Sequence, residues 1–217
     1  MLTRNEDPKL QENVAPTMIS IVIPSKEEPY LGRLVDSIHR NVSYPHEILI
    51  QSEPGLGSAV LQGIRNSKGN VIAILDGDGS HNPQDLSKML SFLQTYQLVV
   101  GSRYIQGGSS KDSFLRRLLS LTFSRTACAL LRLKINDPMS GFVVAKRQVF
   151  ETVKLRPIGY KFLLELLVKS RESFKISEYP ITFEKRKMGK SKTGVAEGVR
   201  TVELILLLMC WKASHSR

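Results

Sequence analysis

Residues 71–83 read VIAILDGDGSHNP. Five apolar residues in succession read as a strand buried on both faces. Two aspartates spaced by glycines follow at once, at the carboxyl end of that strand, where parallel α/β sheets place their ligands. Pro83 then opens a helix whose apolar positions Leu86, Met89, Leu90 and Leu93 recur at helical spacing.

Working outward, ISIVIP (19–24), HEILI (46–50) and LVVG (98–101) are further short apolar strands. Between them lie helical patterns, one carried by Leu31, Leu34, Val35 and Ile38, another over residues 56–64 behind Gly55 and Gly57. Strands alternating with helices predict βαβ units and a mostly parallel sheet flanked by helices, a Rossmann-like α/β class in a single domain over residues 18–217. Residues 1–17 are polar, lack the apolar run of a signal peptide, and are expected to form a flexible leader.

After Gly101 the alternation weakens. Residues 114–133 read as a long amphipathic helix, apolar on one side and studded with Arg116, Arg117, Arg125 and Arg132. A strand at 142–145, a helix at 160–170 and a strand at 175–181 follow, then the basic loop EKRKMGKSKTG and a last helix. Within that helix LILLLMCW (204–211) is too short to cross a bilayer but suits a buried or interfacial position. Cys128 and Cys210 both fall in apolar helical stretches, so two buried thiols and a reducing compartment are expected, with no disulfide framework.

The net charge of +11 calls for an anionic partner: nucleic acid, lipid headgroups or a phosphorylated substrate. Nucleic acid is not expected, because no glycine-aromatic ribonucleoprotein signature or aromatic platform is present.

Asp76 and Asp78 can approach one hard divalent cation, magnesium or manganese, because Gly77 and Gly79 let the chain curl. Such an ion would neutralise a diphosphate and stabilise it as a leaving group. A polar turn and a calcium loop are the other readings of this segment. The calcium loop fits poorly, since its sixth and twelfth positions would be His81 and Ser87 instead of glycine and glutamate. Gly55-Leu56-Gly57 behind a strand also suggests an NAD-type dinucleotide fingerprint, but Val60 stands where its third small residue belongs.

Seven segments occur in one order: IVIPSKEE, GLGSAV, the strand with DGDGSHNP, VVGSRY, DPMSGF, GYKF and EYPITFEKRKMGKSK. Together, over residues 19–192, they resemble the dolichol-phosphate mannosyltransferase branch of the family 2 glycosyltransferases. That resemblance implies a GT-A-like fold and inverting, metal-dependent transfer of a sugar, mannose or glucose, from a nucleotide-sugar donor to dolichol or polyprenyl phosphate. The basic excess and the amphipathic elements, with no segment long enough to span, predict a cytoplasmic protein attached peripherally to an anionic membrane surface on the cytosolic face.

By resemblance, Asp76 and Asp78 hold the metal and diphosphate, with Ser80 where many members have a metal-holding glutamine; His81 matches the histidine that follows there. Pro24 and Glu28 match the nucleotide pocket, and Lys26 and Glu27 replace a usual tyrosine-asparagine pair. Arg103 and Arg117 match the phosphate-holding arginines and, with Asp78, are the implied catalytic residues. Asp137, Ser140 and Gly141 match an acceptor-side motif, while Arg186 and Lys192, around Gly189, match a lid over the donor phosphates.

One departure stands out. The family's DDGS motif after the second strand is absent, because EILI runs directly into QSEPGLGSAV. A helix-strand segment is missing with it, leaving Gln51 and Glu53 as substitutes. A catalytically degenerate sugar or lipid-phosphate binder is therefore the alternative function.

Overall fold

The computed structural model describes residues 17–25, 28–156, 161–185 and 195–215. Strands β1 (Ile19–Pro24), β2 (His46–Gln51) and β3 (Val71–Ile74) alternate with helices α1 (Leu31–Asn41), α2 (Leu56–Asn66) and α3 (Pro83–Phe92). The Asn82 side chain caps α3 by accepting from the Gln84 N–H, and Pro83 fills its first turn. β4 (Leu98–Ser102), a two-residue β5 (Ser109–Ser110) and the long α4 (Phe114–Leu131) follow. The remainder is β6 (Val143–Lys146), α5 (Arg147–Thr152), α6 (Phe162–Ser170), β7 (Ile176–Pro180), β8 (Thr182–Phe183) and α7 (Val195–His215).

The main sheet has the order β2-β1-β3-β6-β4-β7. Its β1–β2, β1–β3 and β4–β7 pairings are parallel, and β6 runs antiparallel between β3 and β4. The mostly parallel α/β domain expected from the sequence is the one found. Strand periodicity divides the core: Ile19, Ile21, Ile23, Val71 and Ala73 pack on one face with α1 and α3. Val22, Ile72, Ile74, Val143 and Ala145 pack on the other with α2, α5 and α6. Each such side chain contributes roughly 1.5–3 kcal/mol by leaving water.

A third cluster joins α4, α6 and α7 through Ala127, Leu131, Leu164, Leu204 and Leu208. The sequence reading is corrected here at the end of α4 and at Cys210. α4 buries only Ser124, Ala127 and Leu131 and leaves Phe114, Leu115, Leu118, Leu119, Phe123 and Leu130 exposed. It also stops at Leu131, because Arg132 adopts a left-handed conformation (φ 53) that returns its N–H to the Ala129 and Cys128 carbonyls. α7 likewise exposes Val199, Val202, Leu206, Leu207 and Met209. Cys210 is exposed, not buried. Cys128 is half-buried, donates to the Ile135 carbonyl at 2.8 Å, and has a thiol pKa pushed up to about 11 by burial. No helix among the described residues is long and apolar enough to cross a membrane.

Candidate active site

A cavity of about 790 Å³ opens at the carboxyl ends of β1, β2 and β3, beneath α4 and α7. Its floor is the turn after β3. Gly79 has φ +76, and a Cβ there would stand 2.5 Å from the Tyr30 ring. A Cβ on Gly77 would meet the Ser25 hydroxyl at 2.9 Å. Glycine is therefore demanded by backbone angle at one position and by space at both, and the curl turns Asp76 and Asp78 into the cavity wall.

Asp78 is buried, and its Oδ1 accepts both the Ser80 N–H (3.0 Å) and the Ser80 hydroxyl (2.6 Å). Ser80 is fully buried and lies behind Asp78, not on the wall. The sequence reading gave it to the metal; in the fold its hydroxyl is committed to orienting the carboxylate. His81 receives the Asp76 N–H on Nδ1 at 3.2 Å, with its ring against Phe142 and Phe183. Burial lowers its pKa and keeps the imidazole neutral, outweighing the pull of the Asp76 and Asp78 carboxylates. Its Nε2 is buried without a partner among the described residues.

The DPMSGF segment reaches the same place. A Cβ on Gly141 would stand 2.5 Å from Asp76 Oδ2, so Gly141 sits directly against that carboxylate. Ser140 and Gly141 line the cavity, whereas Asp137 lies underneath, fully buried. Arg103 Nε and Nη2 donate to the two Asp137 oxygens at 2.7 and 2.8 Å, with side chains only 10% and 0% exposed. Burial works against the charge on Arg103, but the bonded Asp137 carboxylate outweighs it and raises the guanidinium pKa further. Glu178 completes the brace by accepting the Asn136 and Asp137 N–H groups. The sequence reading gave Arg103 to substrate phosphate and Asp137 to the acceptor side; the fold makes them partners, with one edge of the guanidinium engaged.

Pro24 and Glu28 line the cavity, as do Gln51 and Glu53. On α4 it is Arg116 that lines it, near Asp112 at 3.7 Å, while Arg117 is exposed and outside the lining. Consecutive helical residues point about 100° apart, so only one of such a pair faces the site. Arg186, Gly189 and Lys192 lie outside the described residues, as do Lys26 and Glu27. The segment that leads to Arg186 is anchored nearby, because the Glu184 N–H donates to the Ser80 carbonyl at 2.9 Å and Lys111 pairs with the Glu184 carboxylate at 2.8 Å.

Sequence reasoning missed Ser25, Lys161, Leu119, Phe123 and Met139, which also line the cavity. Ser25 and Lys161 adjoin or belong to the quoted IVIPS and GYKF segments, which was the available signal. Met139 likewise belongs to the quoted DPMSGF segment, whereas Leu119 and Phe123 carry no local signal, since helical spacing does not tell a cavity wall from core. Among the described residues no three His, Cys, Asp or Glu side chains converge on a metal position. The two carboxylates of Asp76 and Asp78, with Gly141 leaving space at one of them, suit a hard divalent ion that takes its other ligands from phosphate and water.

The fold is that of the GT-A glycosyltransferases. A glucosyl-3-phosphoglycerate synthase from Mycobacterium tuberculosis, crystallised with Mn2+ and UDP-glucose, superposes with a TM-score of 0.67 at 20% identity, over 89% of this chain and 79% of that one. Residues 47–154 match the family described as Glycosyl transferase family 2. The chain is 34% identical over 180 residues to a dolichol-phosphate mannosyltransferase of Pyrococcus furiosus, covering 80% of this chain and 51% of that protein. It is 30% identical over 183 residues to an undecaprenyl-phosphate mannosyltransferase of Micrococcus luteus, covering 79% and 75%. The chain belongs to the family 2 glycosyltransferases. It spans about half the length of the Pyrococcus relative.

Proposed function

We propose that this chain transfers a hexose, mannose or glucose, from a nucleotide sugar to dolichol or polyprenyl phosphate, with inversion at the anomeric carbon. One observation carries the reading: a single cavity joins a floor bearing Asp76 and Asp78 to apolar walls at Leu119, Phe123 and Met139. A metal-bound diphosphate sugar needs the first, and the hydrocarbon chain of a lipid phosphate needs the second.

Asp76 and Asp78 would hold Mg2+ or Mn2+, which when bound supplies charge neutralisation at the leaving diphosphate. Ser80 orients Asp78, and His81 fixes the backbone of Asp76. Pro24, Glu28, Gln51 and Glu53 form the side on which a nucleotide would lie. Arg116 and Lys161 bring positive charge to the lining of the same cavity, where it would suit an anionic acceptor, and Ser140 and Gly141 line it too. A phosphate oxygen is already anionic at neutral pH, so no protein base is required for its attack. Arg186 and Lys192 remain part of the proposal as donor-phosphate contacts.

The exposed apolar faces of α4 and α7, with Phe114 81% and Leu115 66% exposed and Arg116, Arg117, Arg125 and Arg132 on the same helix or its cap, support peripheral binding to an anionic membrane on its cytosolic face. Vesicle sedimentation checks this: binding should be stronger to anionic than to neutral vesicles and weaken with salt. Equal binding to both would reject it.

A second reading, a degenerate binder, is favoured by the engagement of Arg103 with Asp137 and by the absent DDGS motif. Turnover separates the two. Labelled nucleotide sugars are incubated with polyprenyl phosphate and manganese; sugar in the lipid phase supports the enzyme, and donor binding without transfer supports the binder.

A further inference from the structure

β2 is the outermost strand of the main sheet, and no described strand covers its outer edge. The direction of its backbone can be read from its neighbour. Ile19 N–H donates to the Pro45 carbonyl and Ser25 N–H to the Gln51 carbonyl, both at 2.9 Å. Residues 45, 47, 49 and 51 therefore face β1, and by the two-residue period His46, Ile48 and Ile50 direct N–H and C=O outward. The side chains beside this edge are apolar on both faces of the sheet. Ile48 packs partly against the α1–α3 cluster, Leu49 partly against the α2 cluster, and Ile50 is 46% exposed. HEILIQ contains no lysine, proline or bulge of the kind that normally guards an open edge.

We propose that β2 pairs antiparallel with β2 of a second copy of this chain, about a two-fold axis through Leu49. In that register the two residues that expose their backbone, Ile48 and Ile50, face Ile50 and Ile48 of the second copy and exchange both hydrogen bonds. Leu49 meets its own copy in the close, non-hydrogen-bonded position on the other face. Shifting the axis to Ile48 would set Ile50 against His46 and Leu49 against Glu47, so the apolar pattern selects one register. Charge agrees with it. The strand begins beside His39 and His46, whose ring nitrogens are 2.9 Å apart, and is followed by exposed Glu53, so antiparallel pairing brings the acid of each copy to the basic end of the other. Glu47 faces Gln51 of the second copy and not its own equivalent, and its Oε1 is held within its own copy by the Ser20 hydroxyl and the Lys68 N–H. Gln51 lines the cavity, so this interface is contiguous with the site.

Sedimentation equilibrium of the full chain, in enough salt to screen its positive charge, should show reversible dimerisation. Ile50→Pro removes only an outward N–H in each copy and should weaken the dimer about thirtyfold, two hydrogen bonds at their usual net value. Ile50→Lys, an edge-guarding change, should also give monomer if the proline variant folds poorly by circular dichroism. In a Cys210→Ser background, Leu49→Cys should form a disulfide-linked dimer faster than Ile50→Cys, because only position 49 faces itself. A monomer at every concentration, a dimer untouched by both Ile50 variants, or faster cross-linking at 50 would overturn the proposal.

Discussion

Gly141→Ala is a small change whose effect the geometry makes large. The added Cβ would stand 2.5 Å from Asp76 Oδ2 and 3.0 Å from its Cγ. An ordinary carbon–oxygen contact is roughly 3.3 Å, so the carboxylate or the 139–142 backbone must give by about 0.8 Å. Backbone angle adds nothing, since Gly141 is not among the glycines with positive φ. The folding cost is then that of modest overpacking, about 1–3 kcal/mol. The functional cost is larger, because a misplacement near 1 Å at a reacting site costs about a hundredfold in rate. Steady-state transfer with manganese titrated at fixed donor, beside a thermal melt, separates the two effects. We expect kcat/KM to fall about a hundredfold and the metal requirement to shift upward, with a cooperative melt retained. If Gly141→Ala keeps kcat/KM and the metal midpoint within about twofold, Asp76 does not act from the position described.

Arg103→Ala or Asp137→Ala leaves a buried charge unpaired and should cost about 3–5 kcal/mol in urea unfolding, whereas Arg103→Met with Asp137→Leu should cost less than either; a double variant as destabilised as the single ones would show that the cost is not that of an unpaired charge. Arg116→Ala should lower kcat/KM at least tenfold and Arg117→Ala should not, since only Arg116 lines the cavity; the reverse order would refute the helix register. Burial works against charge on Glu47, but bonds from the Ser20 hydroxyl and the Lys68 and Gly69 N–H groups outweigh it and hold the carboxyl below its ordinary value. Its stabilisation is thus present above the ordinary glutamate value and lost as pH falls through the lowered one. Glu47→Gln should flatten that acid limb in melts across pH; an unchanged limb would contradict this.

The βαβ order was legible because its strands are short apolar runs bounded by glycine and proline, and the aspartate turn because position and composition agree there. Two kinds of information were not. Helix register decided between Arg116 and Arg117, and adjacent identical residues hold no clue to which one faces the site. The Arg103–Asp137 pair depends on β4 and the loop after α4 meeting in space, 34 residues apart in sequence. The amphipathic character of α4 was legible from the helical spacing of Leu and Phe, but such spacing shows only that a face is apolar and not whether protein covers it.

The proposed transfer requires that Asp76 and Asp78 hold the metal. That requirement is tested most directly by measuring, with labelled nucleotide sugar, polyprenyl phosphate and titrated manganese, the transfer catalysed by the native chain and by Asp78→Ala. The account predicts metal-dependent labelling of the lipid by the native chain and a loss of about a thousandfold or more in the variant, with its melt retained. Undiminished, metal-dependent transfer by Asp78→Ala would contradict it.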